Sequence, residues 1–216
     1  MTIFVINIGN PGYSQYTLPL IEKLCKFNNV NLYVLDKDIP QNTNKLHSSW
    51  LKLFCHDLID DDFIVCWDLD LVPTKLYNMK NLFVYDKINF CHDTNFYKQG
   101  MHLCSYEEGH PYKKFKYNCG LIGIPKSYSN FFKNIYHKHS SNPVYSSWEQ
   151  YYVNNEIHDN NIPVHVLPDD MNILFNSSST PFISDYNFHC NAGAPGDYGH
   201  RTELLKMHFN TFNKMI

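Results

Sequence analysis

None of the seven cysteines forms a C-x-x-C pair, and the chain contains no G-x-G-x-x-G, no Walker-type phosphate loop and no long apolar run. Each absence removes a class. An odd number of unpaired cysteines excludes a disulfide framework or a zinc ribbon, so the thiols are expected to be reduced and buried. No apolar run approaches the roughly 18 residues of a membrane span. The opening "MTIFVINIGN" lacks the basic start and cleavage site of a signal peptide and reads as a first strand, which makes the cytosol the default compartment. A net charge of -3 and a pI near 6.4 leave no broad basic surface for nucleic acid. The short cluster "KKFK", Lys113 to Lys116, reads as a solvated loop.

What is present is a globular composition, 44% hydrophobic and 18% charged over 216 residues, with no repeat and no linker. One domain is expected. Its first 67 residues alternate strand and helix. "IFVINIG" is an apolar β run, followed by a turn at Asn10-Pro11-Gly12. "SQYTLPLIEKLCKF" spaces Leu18, Ile21, Leu24 and Cys25 at helical intervals, with Ser14 as N-cap. "NLYVLD" is a second strand, "NKLHSSWLKLFCHDLI" a second amphipathic helix and "FIVCW" a third strand, apolar on both faces. This βαβαβ order predicts parallel strands with helices on both faces. "NLFVYD", "INFCHD", "YNCGLIGIP" and "PVHVLP" read as further strands, 126–139 and 147–158 as helices. Residues 94–116 read as a long loop, and "NFHCNAGAPGDYGHR" as a Gly-rich loop before a last helix, "TELLKMHF".

The informative stretch is "FIVCWDLDLVPT", residues 63 to 74, where a buried strand runs into two carboxylates one residue apart. In a strand, i and i+2 share a face, so Asp68 and Asp70 are expected to project together from the C-terminal end. Open α/β sheets bind ligands at that edge. Two hard carboxylates there suit Mg²⁺ or Mn²⁺, which can in turn clamp a diphosphate.

Taken in order, the motifs resemble those of GT-A fold nucleotide-sugar glycosyltransferases, in particular the glycogenin-like and bacterial galactosyltransferase-like group. The matching segments are "NIGNPGY", "VCWDLDLVP", "YNCGLIGIP", "WEQYYVNNEI", "LPDDMNILFN" and "FHCNAG", spanning residue 3 to about 201. The resemblance implies a mixed, largely parallel Rossmann-like sheet. Residues 1–70 would form its nucleotide-binding half, and 71–216 the half for the donor and acceptor sugars. It implies that Asp68, Asp70 and His189 bind Mn²⁺ or Mg²⁺; an imidazole beside two carboxylates favours Mn²⁺. Ile8, Gly9, Tyr13, Asp36, Leu69, Asn118, Gly120 and Gly193 would line the nucleotide sugar. Glu149, Gln150 and Asp93 would face the reacting sugar. The family's last loop carries a lysine on the diphosphate; in "HCNAGAPGDYGHR" His200 or Arg201 stands in that region. Lys45, or another base on the helix before the acidic motif, would meet a phosphate or lie in solvent. The implied activity is transfer of a hexose-type sugar from a UDP-sugar to a glycan or glycoprotein. The size and composition also resemble glycosyltransferase domains of large algal viruses, for which a viral coat glycoprotein would be the acceptor.

Other readings share the motif. "DLDLVPT" fits the haloacid-dehalogenase phosphatase signature, with Asp68 as nucleophile and Asp169 and Asp170 as a late acidic pair. That signature, however, sits on the first strand of its core, whereas a βαβα segment precedes it here. A nucleotidyltransferase, or a non-catalytic sugar-nucleotide-binding module, would use the same carboxylates. Cys55-His56-Asp57 and Cys91-His92-Asp93 place adjacent side chains in divergent directions and form no triad.

Overall fold

The computed structural model describes residues 1–9, 11–93, 117–143, 149–174, 186–190 and 198–215. Six strands form the main sheet: β1 (Thr2–Ile6), β2 (Asn31–Leu35), β3 (Phe63–Trp67), β5 (Ile88–His92), β6 (Tyr117–Pro125) and β7 (Val164–Val166). Their order is β2-β1-β3-β6-β5-β7. The first three pair in parallel and β5 pairs in parallel with β7, while β6 runs antiparallel to both neighbours. A second sheet of three short strands, β4 (Leu71–Pro73), β8 (Ile173–Leu174) and β9 (Asn187–His189), has the order β4-β9-β8. The expectation of a mixed, largely parallel sheet in a single domain holds.

Strand alternation divides the core. Ile3, Val5, Phe63, Val65 and Trp67 face one layer, with Leu20, Ile21 and Leu24 of helix α1 (Ser14–Asn28) and Leu205 and Phe212 of the last helix, α5 (Tyr198–Met215). Phe4, Ile64 and Cys66 face the other. There they meet Trp50, Leu51 and Phe54, together with Phe132, Ile135 and Tyr136 of α3 (Ser129–His139) and Tyr152, Val153 and Ile157 of α4 (Gln150–Asp159). All six cysteines of the described residues are reduced and buried; Cys104 lies outside them.

Several local expectations need correction. "NKLHSSWLKLFCHDLI" is not one amphipathic α-helix but a 3₁₀ helix, Ser48–Phe54, followed by a single α turn, α2 (Cys55–Leu58). Three residues per turn leave no polar face here: Trp50, Leu51, Leu53, Phe54 and even Lys52 are buried. "NLFVYD" is not a strand, because Asn89 binds the Val84 N–H and C=O, each at 2.8 Å, taking the groups a ladder would use. Tyr13, not Ser14, holds the N-cap position of α1. "NFH" is strand β9 rather than loop, and α5 begins at Tyr198, several residues before "TELLKMHF". Asn10, residues 94–116 and Gly193 lie outside the described residues.

A half-buried ionic cluster ties α3 to α4. Glu156 accepts from Lys138 Nζ at 2.6 Å, lies 2.8 Å from His139 Nε2 and accepts from Asn160 Nδ2 at 3.1 Å. Burial alone would raise its carboxyl, but Lys138 and His139 hold it below the ordinary range. A depressed carboxyl contributes stability above its unfolded pKa of about 4.3 and loses it as pH falls through the folded value. Glu156→Gln is therefore expected to cost about 1 kcal/mol at pH 7, since the exposed Lys138 is screened. In urea titrations the gap from wild type should close progressively below about pH 4.

Candidate functional site

β3 ends against the centre of the sheet, and the acidic pair is its exit. The Asp68 N–H makes the last ladder bond, to Gly120 O at 2.8 Å, and Leu71 N then bonds back to Asp68 O at 3.0 Å. Asp68-Leu69-Asp70 is thus a turn linking the two sheets rather than a strand continuation. Trp67 Nε1 donates to Leu71 O at 2.7 Å and fixes that turn from beneath. Leu69 is buried in the α1 layer.

β9 supplies the third group. It pairs antiparallel with β4, Leu71 opposite His189, and Cys190 N donates to Asp70 O at 2.9 Å. His189 Nε2 consequently lies 3.1 Å from Asp70 Oδ1 and 3.8 Å from Asp68 Oδ2. One ligand atom from each of Asp68, Asp70 and His189 falls within 4.8 Å of the others. Two carboxylate oxygens and an imidazole nitrogen converging from two segments are a donor set for a divalent cation, and suit Mn²⁺. Asp68 keeps part of its side-chain surface open.

Charge is balanced on both sides. Arg201, the chain's one arginine, donates from Nη1 to Asp70 Oδ2 at 2.8 Å, and its guanidinium carbon lies 5.8 Å from the centre of the Tyr13 ring. Burial would raise the Asp70 carboxyl, yet His189 and Arg201 hold it below its usual range. Burial would likewise lower the His189 imidazole, but Asp70 and Asp68 raise it. On the other side Lys52, 4% exposed, bonds to Asp68 Oδ1 at 2.6 Å, Cys119 O at 2.7 Å and Glu149 Oε1 at 3.2 Å. Burial opposes its charge, and the Asp68 and Glu149 carboxylates more than reverse that effect.

A polar chain leads away from the Asp68–Asp70–His189 cluster. Gln150 Nε2 and Asn118 Nδ2 both donate to Asp93 Oδ2, at 3.0 and 3.3 Å. Gln150 Oε1 accepts from Cys119 N at 2.7 Å. Asn118 Oδ1 accepts from Gly120 N and from Asn172 Nδ2, each at 2.8 Å, and Asn172 Oδ1 lies 3.0 Å from His189 Nδ1. Gly120 has no room for a side chain, because a Cβ there would sit 2.6 Å from His189 Cε1.

The structure therefore gathers Asp68, Asp70, His189, Arg201, Tyr13, Asn118, Gly120, Asp93, Gln150 and Glu149 into one region. Glu149 is turned inward onto Lys52. Ile8 and Gly9, with φ +80 at the glycine, follow β1, and Asp36 is exposed after β2. Lys45 pairs with the surface Asp38 at 3.6 Å, so the base on the preceding helix that reaches the motif is Lys52. Its signal was an isolated lysine between Leu51 and Leu53 in an otherwise apolar run. Asp169, on a 3₁₀ turn (Asp169–Met171), pairs with His92 at 3.1 Å and does not join Asp68. The side chain of His200 lies outside the described residues.

No protein-family profile matches the chain, and no curated protein matches it. Solved structures do. A glycosyltransferase involved in glycosylation of the major capsid of PBCV-1 superposes with a TM-score of 0.64 at 12% identity, covering 95% of this chain and 100% of that one. The galactosyltransferase LgtC, in complex with donor and acceptor sugar analogs, superposes at 0.58 and 11% identity over 98% and 96%. The glycosyltransferase GlyE of Streptococcus pneumoniae TIGR4 matches at 0.51 and 16% identity, over 79% of this chain and 46% of its own. The fold is the GT-A fold of glycosyltransferases.

Proposed function

We propose that this chain is a metal-dependent glycosyltransferase. It moves a hexose-type sugar from a nucleoside-diphosphate sugar, a UDP-sugar, to a glycan or glycoprotein acceptor. The observation that carries this reading is the convergence of Asp68, Asp70 and His189 within 4.8 Å at the sheet exit of a GT-A fold. A divalent cation held there would neutralise the charge that builds on the departing diphosphate.

The surrounding residues take roles that their positions support. Tyr13 and Asp36, with the Ile8-Gly9 turn and Leu69, belong to the nucleotide side, in the half formed by residues 1–70. Arg201 sits between Tyr13 and Asp70, where a planar, permanently charged fork can hold phosphate oxygens. It stands, on the first turns of α5, in place of the lysine that the family carries in its last loop. Asn118, Gly120, Asp93 and Gln150 face the donor sugar, whose reacting carbon becomes positive during transfer and is stabilised by carboxylate and amide oxygens. Glu149 is engaged by Lys52 and does not act as a base on the acceptor, which favours retention of configuration over inversion. The likeness to the PBCV-1 capsid enzyme supports a viral coat glycoprotein as acceptor. No described helix is long and apolar enough to cross a membrane.

Calorimetric titration of UDP, UDP-sugars and GDP-sugars, with Mn²⁺ and after chelation, tests the reading. Tight binding of a uridine nucleotide only with metal, lost in His189→Ala, is the expected result. Absence of nucleotide binding together with Mg²⁺-dependent phosphate-ester hydrolysis would move the assignment to a phosphatase.

A further inference from the structure

Asn172 is completely buried between Asn118 and His189, and nothing in the transfer reaction described above uses it. Its orientation follows from one group that has no freedom. The Gly120 backbone N–H can only donate, so the Asn118 atom 2.8 Å away is its oxygen. That oxygen also lies 2.8 Å from the Asn172 amide, which must therefore present Nδ2 to it. Asn172 Oδ1 is then left facing His189 Nδ1 at 3.0 Å, and an oxygen there requires a proton on Nδ1. The other ring nitrogen faces Asp70 Oδ1 at 3.1 Å and Asp68 Oδ2 at 3.8 Å. A bare Nε2 lone pair among carboxylate oxygens is tenable only around a shared cation. The far end of the chain is anchored as well: Asn118 Nδ2 donates to Asp93 Oδ2 at 3.3 Å.

We propose that Asn172 is a positioning residue: through the Gly120–Asn118–Asn172 relay it holds His189 as the Nδ1–H tautomer and presents Nε2 to the cation site of Asp68 and Asp70. A side chain with no direct contact to the cation thereby sets both the ring's orientation and its basicity, as outer partners of metal-binding imidazoles do. Gly120 contributes twice, as the donor that starts the relay and as the surface on which the ring rests. A Cβ at that position would stand 2.8 Å from His189 Nδ1 and 2.8 Å from Asn118 Oδ1. That the cation is the metal of sugar transfer rests on the function proposed above. The tautomer does not.

The test begins with the unmodified protein loaded with Zn²⁺, a diamagnetic divalent ion. ¹⁵N NMR of the imidazoles, with His189 assigned by its loss in His189→Ala, is expected to show Nδ1 protonated and Nε2 without a proton. A proton on Nε2 overturns the proposal. Titration of Mn²⁺ alone, followed by its EPR signal, then compares Asn172→Leu with Asn172→Asp. Asn172→Leu keeps the volume but offers no acceptor, and it should lose about 10–100-fold in Mn²⁺ affinity and release the tautomer. Asn172→Asp retains an acceptor for Nδ1–H and should stay within roughly 10-fold of wild type. Equal losses in both variants, with the tautomer unchanged, would make Asn172 a packing residue only. Wild-type protein that holds the cation on the Nδ1–H tautomer but shows no metal-dependent nucleotide binding would overturn the metal-dependent function and leave the relay intact.

Discussion

Asp70→Asn is expected to abolish metal-dependent nucleotide binding and to reduce sugar transfer by at least about 10²–10³-fold, while the circular dichroism spectrum stays native. The substitution keeps the side chain's shape and removes only its charge. That charge is what His189 and Arg201 both address, from 3.1 and 2.8 Å. Asparagine leaves Asp68 as the single carboxylate at the cation site, and a neutral amide oxygen is a poor substitute toward a hard divalent ion. Transfer rates with a UDP-sugar, measured across a Mn²⁺ titration, check the prediction. Wild-type turnover and unchanged metal dependence in Asp70→Asn would remove the proposed site altogether.

The second large effect is on stability. Lys52→Met is expected to destabilise the fold by about 3–5 kcal/mol, because it strands Asp68 and the buried Glu149 without their cation. For a chain of this size that corresponds to a fall in Tm of roughly 6–20 °C. Lys52 is raised above its ordinary pKa by those carboxylates, so its contribution is complete below about pH 10.4 and is lost only as pH climbs through the higher folded value. The deficit should therefore be full at pH 8 and shrink toward acid pH, where the stranded carboxylates, raised by burial once the ammonium is gone, take up protons. Glu149→Gln in the Lys52→Met background should recover part of it, since one stranded charge is removed. Thermal melts of the three proteins decide the matter. A Lys52→Met melt within about 1 °C of wild type would mean that the Lys52–Asp68–Glu149 triangle contributes nothing.

The two expectations differ because Asp70 and Asp68 sit in different surroundings despite being one residue apart. Asp70 faces His189 and Arg201, groups that a bound cation and a diphosphate would share. Asp68 has one oxygen tied to a lysine that belongs to the fold and the other turned toward the site. Activity should therefore be more sensitive at Asp70, and folding at Lys52.

Much of this was legible along the chain. The continuous apolar runs "IFVI" and "FIVCW" marked buried strands, because each of their faces meets a separate helical layer. The helical spacing of Leu18, Ile21, Leu24 and Cys25 determined α1, and all four pack on the core. The acidic pair after β3, His189 and the Asn-x-Gly of β6 were visible as residues, and their order along the chain pointed to the GT-A fold.

Which groups act together was decided only by tertiary structure. His189 reaches Asp70 because β9 pairs with β4, a contact between segments over a hundred residues apart that no local period encodes. "NLFVYD" has strand composition, yet Asn89 captures its backbone groups and keeps it irregular. Lys52 reads as a solvent-seeking lysine on an amphipathic helix. It is instead enclosed, because a 3₁₀ helix wedged against the sheet turns it toward two carboxylates that themselves come from distant turns. Local sequence determines what each segment prefers when only its own backbone and the nearest solvent are considered. Long-range strand pairing and the requirement that buried charges be matched then select which of those preferences survive.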